Sequence, residues 1–372
     1  MRAVLLVTAL AAGLAGACPP AGDAALLEPG PDVRRETTLT ILASGDILVH
    51  APVAIAASTG GSYDFRPLFA RIRPLVRRAD LALCHAETPI GAGPRSGYPI
   101  FNAPAELAAA IGWAGFDACS TASNHSVDRG AAGIASTLTA LRRAGVRATG
   151  TARTRRESRR VLVLRAAGVR VAFLSYTYGT NGLPLPRPWS VNLIAPARIF
   201  ADARRARRAG ADVVVVNLHW GAEYVHTPTS DQRSVARAVL RSGHVDAIVG
   251  QHAHVVQPVG RIAGRPVVYG EGNLLSAQSI ACCAAATQDG LIAILHVRVA
   301  AGRARVQRVE YVPTRVSRPG YVVTPVGFRV RALVRAGAGG SAEADELRGS
   351  YRRTVAVVGR SRFVRPLPAR LP

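Results

Sequence analysis

The sequence contains no lysine: its 47 basic residues are all arginine, and with 23 acidic residues the formal net charge is +24. Such an excess is typical of proteins that bind nucleic acids or anionic surfaces. Here the arginines are spread along the chain, only 5% of the residues are aromatic, and no nucleic-acid-binding motif is present. We therefore expect no nucleic acid partner and favour an anionic polymer or the cell envelope, although a biased genome composition also removes lysine.

Long apolar runs are missing beyond the amino terminus, so the sequence predicts no transmembrane helix in the body of the chain. Residues 1–17 have the pattern of a secretory signal peptide, with Arg2, an apolar stretch over 3–14 and a small-residue cleavage site at 15–17. Cys18 follows directly, so the alternatives are lipidation with a membrane tether there or plain cleavage. The prediction is export, with the protein secreted or anchored to the outer face of the membrane.

Motifs of several common sites are absent. No pair of cysteines has the Cys-x-x-Cys spacing, which argues against a zinc ribbon or a thioredoxin-type site. No Gly-rich phosphate loop or serine nucleophile elbow is present either. Export permits disulfides among Cys84, Cys119, Cys282 and Cys283, but their pairing does not follow from sequence. The adjacent Cys282 and Cys283 are expected to hold a loop rather than to catalyse.

The rest of the chain alternates short apolar runs with helical patterns, which predicts an α/β protein without internal repeats. We predict a signal peptide at 1–17, a linker or lipid tether at 18–36, a main domain at 37–334, and a C-terminal helix and tail at 335–372. The predicted strands are 38–44, 80–84, 118–122, 161–164, 169–175, 212–217, 247–249, 267–269, 291–298 and 306–312. The predicted helices are 68–78, 103–112, 134–141, 196–208 and 230–241.

Side chains that bind metals gather just after the predicted strands, where sites form in open α/β sheets. Six of the nine histidines have such positions: His50, His85, His125, His219, His252 and His254. Nitrogen and oxygen ligands without cysteine suit Mn, Fe, Zn or Mg. We predict two divalent metal ions, with Asp46 or Glu87 as the shared carboxylate. The predicted metal ligands are Asp46, Glu87, Asn124, His125, His219, His252 and His254. The alternative is that these histidines have ordinary surface or core roles.

Three residues are candidates for catalysis: His125, Asp128 and Glu223. Asp128 either orients His125 or acts as its acid–base partner; the alternative is a charge that favours a helix N-terminus. Glu223 either binds an amine or polarises water, and the alternative is a salt bridge with an arginine. Trp220 and Tyr224 either shape the pocket or belong to the core.

Six segments, in this order, resemble the bacterial capsule-synthesis CapA family over about residues 39–315. They are Gly45-Asp46, Glu87-Thr88-Pro89, SNHSVDRG at 123–130, HWGAEY at 219–224, GQHAHVVQ at 250–257 and YGEGN at 269–273. That family is associated with poly-γ-glutamate capsule synthesis and is related to calcineurin-like metallophosphoesterases. Two positions depart from its usual pattern: His85 stands in place of an asparagine, and Gly270-Glu271 stands in place of Ser-Leu.

The resemblance implies a metallophosphoesterase-like two-sheet sandwich flanked by helices, with the predicted metal ligands around one site. It also implies a role in the synthesis, attachment or export of poly-γ-glutamate, with this anionic polymer and other capsule-synthesis subunits as partners. The favoured hypothesis is a metal-dependent hydrolase or transferase that acts on an amide, an ester or a phosphoester. The alternatives are a generic metallophosphoesterase and a non-enzymatic, polymer-binding scaffold subunit.

Overall fold

The structure, a computed structural model, describes residues 36–91 and 93–372. The predicted signal peptide, Cys18 and all of the predicted linker except Glu36 lie outside the described residues. Among the helices of the described part, none has the length and apolar character needed to cross a bilayer.

Short strands alternate with helices along most of the described chain. The strands are β1 (Thr37–Ile47), β2 (Leu81–Ala86), β3 (Ala118–Ser120), β4 (Arg147–Thr149), β5 (Leu162–Ala166), β6 (Val169–Thr177), β7 (Val213–His219), β8 (Ala247–Gln251), β9 (Val259–Ile262), β10 (Arg265–Val268), β11 (Asn273–Leu275), β12 (Asp289–Ala300), β13 (Arg303–Ser317), β14 (Val322–Pro325) and β15 (Val364–Pro366). The helices are α1 (Ala51–Ala56), α2 (Arg66–Phe69), α3 (Arg73–Val76), α4 (Glu106–Ala114), α5 (Gly130–Arg143), α6 (Arg155–Ser158), α7 (Pro196–Arg208), α8 (Ser230–Arg241), α9 (Val326–Arg335) and α10 (Ala342–Val358).

The strands form two sheets. The first has the order β14-β13-β12-β1-β2-β3-β4, with β11 paired to β1 and β15 paired to β13. The second has the order β5-β6-β7-β8-β10-β9. Strands β1 to β4 run parallel to one another, and so do β6, β7 and β8. Parallel neighbours bring several carboxyl ends to one edge of a sheet, and this edge is where a site is expected.

Strand β7 shows how the layers are built. Its alternate valines point to opposite faces, because successive side chains of a strand do so. Val213 and Val215 pack against the first sheet, in the core between the two sheets. Val214 and Val216 pack against α7 and α8 on the outer face. The corresponding outer face of the first sheet is covered by α1 to α5. The predicted two-sheet sandwich flanked by helices is therefore confirmed.

Most predicted elements are present, but the predicted helix over 68–78 is wrong. Two short helices, α2 and α3, occupy this stretch, and Pro74 lies in the first turn of α3. A proline lacks the N–H that a continuous helix needs, and it disfavours helical backbone in the residue before it. The interruption is therefore a consequence of Pro74.

One disulfide bond joins two adjacent strands, and another lies within a loop. Cys84 of β2 is bonded to Cys119 of β3, its partner in the parallel register. Cys282 and Cys283 are bonded to each other in the segment before β12. The first bond ties together two strands whose carboxyl ends carry candidate site residues.

Candidate metal centre

The candidate site lies at the carboxyl ends of strands from both sheets. Asp46 lies near the end of β1 and Glu87 directly follows β2 in the first sheet. His219 is the last residue of β7, and His252 and His254 follow β8 in the second. Each of these five residues is at most 4% exposed. Both sheets therefore contribute buried, ionisable side chains to one place.

Two glycines let the chain approach itself closely beside Asp46. The backbone N–H of Asp46 donates to the carbonyl of Gly272 at 2.9 Å. A Cβ at Gly45 would lie 1.9 Å from that carbonyl oxygen, so any side chain there would displace the contact. Gly272 has a φ of +67°, in the left-handed region that favours glycine. The end of β1 and the 270–273 segment therefore fix the position of Asp46 together.

The loop after β8 holds two of its histidines in an uncommon backbone conformation. His252 has a φ of 90° and His254 a φ of 55°. Such conformations cost about 1–3 kcal/mol each for residues other than glycine, and they concentrate at functional sites. The backbone N–H of His252 faces both carboxylate oxygens of Asp46, at 3.4 and 3.3 Å. The strained loop thus folds back onto the central carboxylate.

Two carboxylates lie among the histidine rings. Asp46 Oδ1 is 3.7 Å from His85 Nε2 and 3.9 Å from His219 Nδ1. Asp46 Oδ2 is 3.2 Å from His254 Nδ1. Glu87 Oε1 is 3.9 Å from His219 Nε2 and 3.7 Å from His254 Nε2. Ions that bind nitrogen and oxygen at about 2.0–2.2 Å separate neighbouring ligand atoms by roughly 3–3.5 Å. The 3.2 Å distance lies in this range, and the distances of 3.7–3.9 Å lie just above it.

Several polar atoms of the site are buried without a hydrogen-bond partner. In the described part of the chain they are His85 Nε2, both carboxylate oxygens of Glu87, His219 Nδ1 and His252 Nδ1. Leaving one such group unpaired costs about 1–3 kcal/mol, so a cluster of them needs an explanation. A bound cation would satisfy these nitrogen and oxygen atoms at once. The residues present therefore fit a metal site.

Within residues 36–91 and 93–372, three overlapping groups of side chains have ligand atoms within 4.8 Å of one another. They are Asp46 with His85 and His219; Asp46 with Glu87 and His254; and Glu223 with His252 and His254. Asp46 and His254 each belong to two groups. Two neighbouring positions that share a carboxylate are the arrangement that a two-metal site uses.

Electrostatics favour neutral histidines at most of these positions. Burial lowers the pKa of His85 to about 4 and that of His252 to about 3, and it lowers the pKa of His219 well below its usual value. Burial also raises the pKa of Glu87 well above its usual range. His254 differs: burial alone would lower its pKa, but the carboxylates of Glu87 and Asp46 outweigh burial and raise it to about 9. In the metal-free protein, His254 therefore carries a positive charge, while His85, His219 and His252 are neutral.

The segment after β3 places Asn124, His125 and Asp128 at the site. Asn124 Oδ1 lies 2.8 Å from His219 Nε2. His125 Nδ1 lies 2.8 Å from Asp128 Oδ2, which also accepts a hydrogen bond from the backbone N–H of Phe101 at 2.8 Å. Asp128 therefore orients the His125 ring. His125 is absent from the three close groups of ligand atoms found in the described residues, so its role as a metal ligand stays a prediction.

The HWGAEY segment divides between the site and the core. Glu223 is exposed and shares a group of ligand atoms with His252 and His254. The alternative of a salt bridge finds no support, because none of the ion pairs found in the described residues joins Glu223 to an arginine. Tyr224 lies 6.3 Å from the His254 ring, centroid to centroid. Trp220 is a core residue, whose indole N–H donates to the Tyr269 carbonyl at 2.9 Å.

The sequence analysis placed His85 and His50 among the histidines that follow predicted strands, but included neither in the predicted set of metal ligands. His85 is fully buried and faces Asp46. The signal was present in the sequence, because residues 85 and 87 are two apart and side chains of a strand alternate between faces. His50 instead lies 3.2 Å from the Leu48 carbonyl, through Nδ1, and packs edge-on against Phe101.

Comparison with known proteins gives the family. The sequence model of the bacterial capsule synthesis protein family PGA_cap matches residues 40–278. The capsule biosynthesis protein CapA of Bacillus anthracis is 28% identical over 277 residues, which are 71% of this chain and 65% of that protein. The PGA biosynthesis protein CapA of Bacillus subtilis is 30% identical over 162 residues, 43% of this chain and 42% of that protein. The chain thus spans less than two thirds of the length of these relatives.

Solved structures also resemble this chain. A calcineurin-like phosphoesterase from Bacillus subtilis superposes with a TM-score of 0.49 and 13% identity, over 84% of this chain and 100% of that one. A 5'-nucleotidase precursor from Thermus thermophilus superposes with a TM-score of 0.48 and 15% identity, over 86% of this chain and 59% of that one. The family match covers more than half of the sequence and includes the Asp46, Glu87, His219, His252 and His254 segments; the chain belongs to the bacterial capsule synthesis protein family PGA_cap.

Proposed function

We propose that this chain is a metal-dependent hydrolase or transferase that acts in the synthesis or export of poly-γ-glutamate capsule. The observation that carries the proposal is the convergence of buried, unpartnered nitrogen and oxygen atoms from both sheets on Asp46 and Glu87. Unpaired polar atoms do not stabilise an apolar core, whereas a bound cation would give all of these atoms a partner. Membership of the capsule synthesis family supplies the biological setting.

Two divalent ions would be held by the overlapping groups of ligand atoms, with Asp46 shared between them. Manganese, zinc, iron and magnesium all suit such nitrogen and oxygen ligands. A divalent ion bound there supplies positive charge that stabilises the negative charge developing on a phosphoryl or carbonyl oxygen. Glu223 completes the third group and is its exposed member.

His125 and Asp128 are the proposed acid–base pair. The Asp128 carboxylate accepts from Nδ1 of His125 and leaves Nε2 as the ring nitrogen that holds or receives a proton. Asp128 is itself fixed by the N–H of Phe101, so the ring has one preferred orientation. General acid–base catalysis of this kind contributes about 10²–10⁴-fold to a rate. Protonation of a leaving group is the step that His125 would perform.

The substrate that we propose is an anionic polymer, poly-γ-glutamate. The relatives in two Bacillus species carry names that refer to capsule or PGA biosynthesis, and the net charge of +24 favours a polyanion at the surface of this chain. Export, by the predicted signal peptide at 1–17 with or without a tether at Cys18, would place the protein where the capsule forms. Other capsule-synthesis subunits are the proposed protein partners.

The test combines metal content with turnover. The purified protein and its Asp46→Ala and His252→Ala variants are loaded with Mn²⁺ or Zn²⁺, and the bound metal is measured by elemental analysis. Each protein is then incubated with poly-γ-glutamate, and chain length is followed together with new amino ends, which hydrolysis releases, and new amide or ester bonds, which transfer forms. We expect about two ions per chain in the unaltered protein, fewer in both variants, and metal-dependent change of the polymer that both variants lose.

Other outcomes separate the alternatives. Turnover of an aryl phosphate with no effect on poly-γ-glutamate would indicate a generic phosphoesterase. Binding of the polymer without bound metal or turnover would indicate a scaffold subunit, and the proposed metal ligands would then be withdrawn.

A further inference from the structure

A row of buried polar side chains runs from Glu271 to His85 across the two sheets. Gln251 Nε2 donates to Glu271 Oε2 at 2.6 Å, and Asn217 Nδ2 donates to Gln251 Oε1 at 2.5 Å. Ser120 Oγ donates to Asn217 Oδ1 at 2.5 Å, and His85 Nδ1 lies 2.7 Å from Ser120 Oγ. All five residues are at most 1% exposed. We call this row the Glu271–His85 relay.

The relay has a direction. Ser120 has one hydroxyl proton, which it gives to Asn217 Oδ1; its other neighbour, the Cys84 carbonyl at 3.3 Å, only accepts. Ser120 Oγ is therefore an acceptor toward His85, and Nδ1 of His85 must carry a proton. Nε2 of a neutral His85 is then left with its lone pair, and this atom is the one that faces Asp46 without a hydrogen-bond partner.

Glu271 fixes this direction. A carboxylate oxygen that accepts from Gln251 Nε2 forces the Gln251 oxygen to face Asn217, and the same constraint passes from Asn217 to Ser120. While Glu271 Oε2 is an unprotonated acceptor, turning the amides round would set the Gln251 oxygen against it and leave two buried acceptors facing each other. An unsatisfied buried polar group costs about 1–3 kcal/mol, so the direction is strongly set in this interior.

We propose that Glu271 is a positioning residue that holds His85 in the Nδ1–H tautomer, with Nε2 ready to bind a metal ion, through Gln251, Asn217 and Ser120. This inference rests on the proposed function, because a free lone pair on Nε2 is useful only if a metal ion binds there. Its physical content, the tautomer of His85, is a property of the metal-free protein. A histidine ligand donates its second ring N–H to an outer partner, which sets both ring orientation and basicity. Here that partner is Ser120, which is linked through Asn217 and Gln251 to the carboxyl group of Glu271.

The test breaks the relay at each end in the full-length chain. Glu271→Met removes the acceptor, Ser120→Ala removes the partner of His85, and Glu271→Gln keeps an acceptor oxygen for Gln251. Asp246→Asn is the matched control, because Asp246 is a buried carboxylate whose oxygen contacts the Val214 N–H and Arg207, at the far ends of the strands. Long-range ¹H–¹⁵N spectra of the metal-free proteins report the His85 tautomer, and competition with a chelator gives the Zn²⁺ affinity.

We expect Glu271→Met and Ser120→Ala to shift His85 toward the Nε2–H tautomer and to weaken Zn²⁺ binding by about 10–100-fold, the usual effect of losing an outer-shell partner. Glu271→Gln and Asp246→Asn should retain the tautomer and an affinity within about threefold of the original. If either Glu271→Met or Ser120→Ala fails to fold, the tautomer of His85 in the other variant still tests the inference.

An unchanged His85 tautomer in the breaking variants would overturn the inference, even if metal affinity fell. Failure of the proposed function gives a different pattern. A protein that binds no Zn²⁺ but shows the expected tautomer changes would keep the relay and refute the metal centre.

Discussion

Removing the charge of Asp46 is the sharpest test of the candidate centre. Asp46 is fully buried, and its carboxylate lies 3.2–3.9 Å from nitrogen atoms of His254, His85 and His219. Asp46→Asn keeps the size and one oxygen ligand but removes one negative charge. Two unit charges 4 Å apart attract by about 4 kcal/mol at an effective dielectric constant of 20. Because about 1.4 kcal/mol is a factor of ten, metal affinity should fall by about 10³-fold.

The assay is competition for Zn²⁺ or Mn²⁺ with a chelator of known affinity, at fixed pH and ionic strength. Asp246→Asn serves as the control, since it removes a buried carboxylate at the opposite ends of the strands. Near-ultraviolet circular dichroism confirms that both variants retain their packing. An affinity for metal in Asp46→Asn that stays within about tenfold of the original would refute Asp46 as the charge at the centre of the site.

Three further predictions concern protons, stability and turnover. The metal-free protein holds a proton on His254, whose pKa is about 9, and burial raises the pKa of Glu87. Metal binding at pH 7.5 should therefore release at least one proton. For the same reason, the affinity for metal should rise as the pH increases toward 9. Calorimetry in two buffers of different ionisation enthalpy measures this, and no proton release would contradict it. The Cys84–Cys119 bond closes a loop with a sequence separation of 35, so its loss should lower the free energy of unfolding by about 3–4 kcal/mol. Urea unfolding of the Cys84→Ala/Cys119→Ala double variant measures this loss. An unchanged urea midpoint would count against the prediction. Asp128→Asn should lower turnover by about 10²-fold with metal content unchanged, and loss of bound metal in that variant would show that Asp128 supports the ligands instead.

The sequence predicted the elements whose pattern is local. The helices α7 and α8 begin and end where apolar spacing and turn residues placed them, at 196–208 and 230–241. The capping box of Thr229 and Gln232 at the start of α8 is a local signal that the sequence analysis did not use. Short strands such as β4 and β11 were not predicted, because three residues carry too little periodicity and form strands only through their neighbours.

The sequence predicted which residues belong to the candidate site, but not how they are arranged. Polar residues after successive strands predicted that Asp46, Glu87, His219, His252 and His254 would meet, and the structure brings their ligand atoms together. The predicted roles of these residues remain to be tested by metal binding. The Glu271–His85 relay was not predictable, because it depends on how β3 of one sheet lies against β7 of the other.

The two positions that depart from the CapA pattern acquire a common meaning in the structure. His85 and Glu271 are far apart in sequence, yet they form the two ends of one hydrogen-bonded row. A histidine at position 85 needs an acceptor for Nδ1 if Nε2 is to bind a metal ion. The Glu271–His85 relay supplies this acceptor, so its role follows from the presence of a histidine at position 85.

The relay and the ligands also make the centre dependent on the packing of the two sheets. Asp46 and Glu87 come from the first sheet, while His219 and His252 come from the second. Ser120 and Asn217 join the sheets by a direct hydrogen bond beneath the ligands. A metal ion bound to this set would bridge the sheets and would bind the folded chain far better than the unfolded one, so it would stabilise the sandwich by mass action. The contacts that position the proposed ligands would then couple metal binding to the stability of the whole fold.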